Sequence, residues 1–460
     1  MAELVDAHGS GPCAFGCGGS SPLLGTKQVF NDQIAFLIPL PRTISNPAFF
    51  VIRCFMSYWQ PRIWLCQFYR KIKSRLSLVH YFPSVLQPKR SGNTFTQNIH
   101  QLVFAVSTSL LLAGCEVEGN ALCGRDPVMV IETRGGGSED MVVLPLDQTG
   151  DITRLFIREQ CNDGSDPLCK AGQWRLGRAD ISWNNTTSVT HHAWRPGNTA
   201  SEDHFEPLGM SLVPGNAPGE ATLFVIDIAR PKLVRIWQLR ITGGEITEAR
   251  LATPANAAQT GARLATANSL QAIHSDESDG FHLFVTRFDE YGLLPFRPTP
   301  WPALVQIRNE QLQPPAAQDF RNANGIIQPC KDCDLIIASY WERRLRFASK
   351  TSGKIGEYAS AELPIRPDNL RLDGERILIA GQRRVDLTAL NLLVSSRIPS
   401  PSAVYAINTR SLGPDTHPTL LWEGGWKYGH SVATAVALPG NRLAIGQINT
   451  PSILIADCSL

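Results

Sequence analysis

The chain has 460 residues, enough for one large domain or two to three ordinary ones. Its 43 basic and 41 acidic residues leave a net charge of +2, so no charge excess points to nucleic acid, and nothing in the composition points to disorder. The balance is uneven, however: residues 1–114 carry 10 Lys and Arg against 3 Asp and Glu, and the remainder is acidic.

The opening stretch "MAELVDAHGSGPCAFGCGGSSPLLGTK" resembles the conceptual translation of a transfer-RNA gene. Further on, Arg70, Lys71, Lys73 and Arg75 are interleaved with aromatics, which is the texture of a nucleic-acid patch. No helical or strand period runs through that segment. Residues 1–90 are therefore expected to be upstream translation from a start assigned too early, without structure or function, and no nucleic-acid partner is expected.

Residues 91–114 read as a lipoprotein signal peptide. Lys89 and Arg90 supply a basic lead into "QLVFAVSTSLLLAGC", an apolar run of about a dozen residues that ends in small ones. It is too short for a spanning helix. A core helix with a stray cysteine is the blander reading. Leu112-Ala113-Gly114-Cys115 resembles the bacterial lipobox, which implies export and a diacylglycerol anchor on Cys115. Glu116, where Asp would argue for inner-membrane retention, is compatible with an outer-membrane destination.

Beyond Cys115 there are six cysteines, an even number, which in an exported chain reads as disulfides. Cys161 and Cys169 bracket a polar loop and are expected to pair locally. "CKDC" places Cys330 near Cys333; no second such pair or His pair completes a metal site, so a short loop disulfide is expected. Cys123 and Cys458 remain, near the two ends of the mature chain, and a bond between them would close a ring.

In chain order the strong apolar runs are "MVVLPL" at 141, "TLFVIDI" at 222, "HLFVTRF" at 282, "DLIIASY" at 334, "RILIAGQ" at 376 and "RLAIGQI" at 442. They are short, rich in Val and Ile, and separated by Pro-Gly or Asp-Gly turns, with no sustained 3.6-residue pattern. The chain is predicted to be all-β. Intervals of about 45 to 80 residues are blade-sized, so residues 115–460 are read as a six-bladed β-propeller. His191, His192 and His204 are read as loop residues and given no role.

Two acids, Glu139 and Asp140, stand directly before the first apolar strand, where they require something positive nearby. Later blades repeat the theme with Asn268, Asn324, Asp368 and Asn369, and with Leu208 and Ser431 at the corresponding places. The starts of inner strands in a propeller converge on one end of the axis. Any one of these residues could be a turn former bonding its own backbone. Repetition in successive blades points instead to an oxygen-only cage, which suits a hard cation such as Ca²⁺.

These motifs resemble the paraoxonase/arylesterase family of six-bladed propellers and, more loosely, the gluconolactonase-type enzymes. "IETRGGGSEDMVVLP", "LATANSLQAI", "FRNANGI", "RPDNL" and "GHSVATAVALPGNRLAIGQ" follow that family's blade motifs in order, over residues 120–460. The resemblance implies a catalytic calcium held by Glu139, Asn268, Asn324, Asp368 and Asn369. It also implies a Cys123–Cys458 disulfide, and a second, structural calcium held by Asp140 and the backbone carbonyl of Met210. The chain departs from the family in three places. Leu208 stands where the family has its His base, and no His follows in the next strand; Ser269 stands where the family has Asp. His430 could face the same mouth.

The expected activity is calcium-dependent hydrolysis of a lactone or aryl ester by an ion-activated water, with Asp368 as base and Glu139 as second choice. The expected partners are a small ester or lactone and, through the anchor, a membrane. The competing reading is a calcium-stabilised lipoprotein propeller that binds a ligand or protein and catalyses nothing.

Overall fold

The computed structural model describes residues 121–458, apart from 134–136, 150, 161–173, 184–187, 195–204, 230–233, 253–263, 265, 276–279, 289–302, 314–321, 386, 389–390, 392–397, 426 and 449. The expectations for residues 1–114, for Cys115, for a Cys161–Cys169 bond and for His204 lie outside these.

The described chain forms six four-stranded antiparallel sheets, the blades of a β-propeller. Blade 1 comprises β2 (Met141–Pro145), β3 (Ile152–Gln160), β4 (Trp174–Ser182) and β5 (Ser188–Trp194). Blade 2 comprises β6 (Pro207–Pro214), β7 (Ala221–Asp227), β8 (Arg235–Thr242) and β9 (Glu245–Leu251). Blade 3 runs from β10 (Ala267–His274) through β11 (Phe281–Arg287) and β12 (Leu304–Arg308) to β13 (Gln311–Leu312). Blade 4 is β14 (Ala323–Ile327), β15 (Leu335–Ser339), β16 (Arg344–Ala348) and β17 (Ile355–Tyr358). Blade 5 is β18 (Arg366–Asp373), β19 (Arg376–Gln382), β20 (Ser402–Asn408) and β21 (Thr419–Gly424). Blade 6 has β22 (Val432–Leu438), β23 (Arg442–Gln447) and β24 (Ser452–Asp457), and takes its outer strand from the start of the fold, β1 (Met129–Glu132).

The ring is therefore closed twice. β1 pairs with β24, from Met129 opposite Ile455 to Glu132 opposite Ser452. Just outside that ladder Cys123 and Cys458 are disulfide-bonded, 335 residues apart in sequence. Cys330 and Cys333 are also joined, at the tip of the β14–β15 hairpin.

Second strands of the blades lie between neighbouring sheets and are apolar on both faces. β15, LIIAS, is buried throughout, and β19 is buried from Ile377 onward. Outer strands meet water on one face or both: β9, EITEARL, has six of its seven residues exposed. Gly243 and Gly244, at φ 58° and 79°, make the tight turn into it. The core is a set of clusters between adjacent blades, for example Leu208, Ile226, Leu264, Ala267 and Leu270 between blades 2 and 3. The loop reading of His191 and His192 was wrong, since both lie on β5, opposite Ala179 and Arg178. A polar edge strand lacks the apolar alternation that would have marked it.

Candidate functional site at the axial mouth

The first strands of the six blades, β2, β6, β10, β14, β18 and β22, contact one another in a closed circle and line the axis. Five of them carry a register irregularity at their start: between Pro207 and Met210, Ala267 and Leu270, Ala323 and Ile326, Pro367 and Leu370, and Val432 and Thr434. A bulge re-aims side chains that a regular strand would send to alternate faces. Asn268, Asn324, Asp368 and Asn369 sit on these bulges, and all are buried. Glu139 and Asp140, just before β2, are buried too.

The approach of neighbouring blades here is very close. A Cβ on Gly209 would lie 2.4 Å from the carbonyl oxygen of Asn268, and one on Gly325 would lie 2.5 Å from that of Asp368. Only glycine permits this contact. The residues leading into three inner strands are left-handed: Thr266 (φ 66°), Asn322 (φ 54°) and Ser431 (φ 52°). For a β-branched residue such as Thr266 that conformation is strained, and strain of this kind gathers at functional sites.

The positive charge that Glu139 and Asp140 require is in each case an arginine. Arg158, on β3, donates through Nη1 to Glu139 Oε2 and through Nη2 to Glu206 Oε1 at 3.2 Å. Its guanidinium is fully buried and lies 3.7 Å above the Trp174 ring. Burial pushes the Glu206 carboxyl above its ordinary range, Arg158 opposes that shift, and the charge of Asp227 adds to it.

Arg371, on β18, faces Asp140 and a set of carbonyls. Nη2 donates to Asp140 Oδ1 and, at 3.3 Å, to the Met210 carbonyl; Nε donates to the Met141 carbonyl at 2.8 Å and Nη1 to that of Leu370 at 2.8 Å. The Met210 N–H completes the cluster by donating to Asp140 Oδ2 at 2.7 Å. The oxygens of Asp140 and Met210 expected to hold a structural calcium thus already surround a guanidinium. A divalent cation and Arg371 cannot share them, so these residues do not fit a second ion.

The first site fits an ion better. Its side chains are two carboxylates and three amides, oxygen donors of the kind a hard cation takes; among the described residues there is no group of three or more His, Cys, Asp or Glu that could hold a metal. Asn369 Nδ2 donates to the Glu139 carbonyl at 3.0 Å, which ties blade 5 to blade 1 across the mouth. Gln382 Nε2 holds Asp368 Oδ2 at 2.9 Å and also donates to the Val432 carbonyl at 2.7 Å. One oxygen of each carboxylate is therefore fixed by a named donor. Arg158 offsets one of the two negative charges, a weaker field than the sequence alone suggests.

Other expected residues take different places. Leu208 is buried in the cluster between blades 2 and 3. The Ser431 hydroxyl donates to Asn391 Oδ1 at 3.1 Å. His430 lies beside it; burial lowers its imidazole pKa, favouring the neutral form, and a hydrogen bond with the Gly425 backbone opposes the shift.

Sequence reasoning missed Arg158, Arg371, Gln382 and Tyr340. Tyr340 follows β15, is fully buried, and has its phenol pushed above the ordinary tyrosine range by burial and by the charge of Asp368, against the pull of Arg366. The available signal was a charged residue in an otherwise buried strand, as in "LFIRE" (155–159) and "NLRL" (369–372).

No protein-family model matches this chain, nor does any curated protein. Among solved structures, a luciferin-regenerating enzyme is similar at 10% identity, covering 72% of this chain and 95% of that one, with a TM-score of 0.42. A streptogramin B lyase is similar at 11% identity, covering 73% and 97%, with a TM-score of 0.35. The likenesses are distant, and the propeller assignment rests on the sheet pairing itself.

Proposed function

We propose that the axial mouth is a hydrolase site for a lactone or aryl ester that works with one bound Ca²⁺, as the resemblance to the paraoxonase/arylesterase family implies. The observation that carries this reading is the gathering of Glu139, Asn268, Asn324, Asp368 and Asn369, all buried, at the starts of inner strands from four blades. These five would hold the ion, which when bound would polarise an ester carbonyl and acidify a water. Asp368 is the base in this scheme, because Gln382 fixes one of its oxygens and thereby orients the carboxylate. Glu139 is less suited, since Arg158 engages its carboxylate directly. Export through the signal peptide and a lipid anchor on Cys115 would place the enzyme at a bacterial membrane.

The Arg158–Glu139 pair favours a second reading, a calcium-binding propeller without catalysis, because it spends part of the site's charge on structure. Turnover of a lactone and aryl-ester panel, with and without chelator and alongside a calorimetric calcium titration, separates the two. Calcium binding without turnover supports the second reading. No calcium binding defeats both.

A further inference from the structure

Tyr340 lies where three blades meet at the mouth. Its N–H donates to the Asn322 carbonyl at 3.2 Å, which sets it level with the start of β14. Its ring meets Phe288 of blade 3 edge-on at 5.5 Å and Trp341 at 5.6 Å, with the Arg366 guanidinium of blade 5 at 5.8 Å. Arg366 is itself stacked on Trp341 at 4.3 Å, so the ring is held from several sides. The phenolic oxygen is buried, near enough to Asp368 to feel its charge, and has no hydrogen-bond partner among the described residues.

Buried hydroxyls are nearly always satisfied, and this firmly held phenol has no partner among the described residues. We propose that Tyr340 is a substrate-facing hydrogen-bond donor of the axial site, giving its O–H to the carbonyl or leaving oxygen of a bound ester or lactone. The proposal rests on the hydrolase reading above. Ester hydrolysis concentrates negative charge on the former carbonyl oxygen, and a donor fixed in a dry site stabilises that charge without reorganising. Asp368 on one side would take a proton from water while Tyr340 meets the developing charge. No proton leaves the phenol in this role.

The test is Tyr340→Phe in the full chain, which removes only the hydroxyl. The expected result is a kcat/KM on the preferred ester or lactone lower by about 10²-fold, with a Tm unchanged or raised. An unchanged kcat/KM, or a lowered Tm that reveals a structural hydroxyl, overturns the proposal. If the wild-type protein turns over nothing, the hydrolase reading fails, and binding decides for Tyr340. Calorimetry with δ-valerolactone and 5-hydroxypentanoate should then show at least tenfold weaker binding by Tyr340→Phe. Equal binding by the two proteins, or none by either, overturns the proposal.

Discussion

Arg371 donates to Asp140 across 231 residues of sequence, joining blade 5 to blade 1 although blade 6 lies between them in the ring. The same guanidinium reaches the Met210 carbonyl of blade 2, so one half-buried cation gathers three blades at the axis. The guanidinium stands among the oxygens of Asp140 and Met210 that a second cation would need. Arg371→Ala should cost about 3–5 kcal/mol, because it leaves the Asp140 carboxylate buried without its charge partner. Chemical denaturation measures this, and a calcium titration of the wild type should find no more than one ion per chain.

Ring closure gives the second prediction. Cys123 and Cys458 close a loop of almost the whole domain, and cross-links of that length restrict the unfolded chain strongly. Cys123→Ser should lose about 2–5 kcal/mol yet still fold, because the β1–β24 ladder remains. Circular dichroism and denaturant titration check both parts; a variant that fails to form the sheet would show that the ladder cannot close the ring unaided.

The third prediction concerns Leu208. An imidazole there would lie among Ile226, Leu264, Ala267 and Leu270 rather than in a polar pocket. Leu208→His should therefore destabilise by about 1–3 kcal/mol and bring no gain in turnover. A rise in kcat would mean that the position opens to the mouth.

Export gives the fourth. Cys115→Ala should move the protein from the membrane fraction to the soluble one, and deletion of residues 2–85 should change nothing in either fraction. Membrane retention of the Cys115→Ala protein would rule out the lipid anchor.

Much of this architecture is written in local patterns. Five of the six apolar runs are second strands, β7, β11, β15, β19 and β23, which are buried on both faces and so stand out as unbroken hydrophobic segments. With the run at β2, the first strand of blade 1, they number six, one for each blade. Outer strands such as β5 and β9 carry mixed polar patterns and leave no such mark. The candidate ligands were legible because a polar residue recurs at or just before the start of five of the six inner strands; the bulge that carries Asp368 and Asn369 was not. Arg158, Gln382 and Arg371 escaped because their roles depend on partners in other strands or other blades, a relation that spacing along the chain does not encode.

The last prediction bears on function. Asp368 is fully buried, on a bulge, with Gln382 holding one oxygen from the neighbouring strand. Asparagine has nearly the same shape but supplies neither a negative charge for a cation nor a site for a proton at neutral pH. Asp368→Asn should lower kcat by about 10²–10⁴-fold, the range of a lost general base. Calcium affinity should fall at the same time, since the ion would face only Glu139, already engaged by Arg158. The fold should survive, because the amide can still be accommodated beside Gln382 after rotation. Gln382→Glu makes the matching control: it places a second carboxylate against Asp368, so calcium binding should strengthen while turnover falls. Turnover by Asp368→Asn at the wild-type rate would remove Asp368 from the reaction and leave the proposed chemistry without a base.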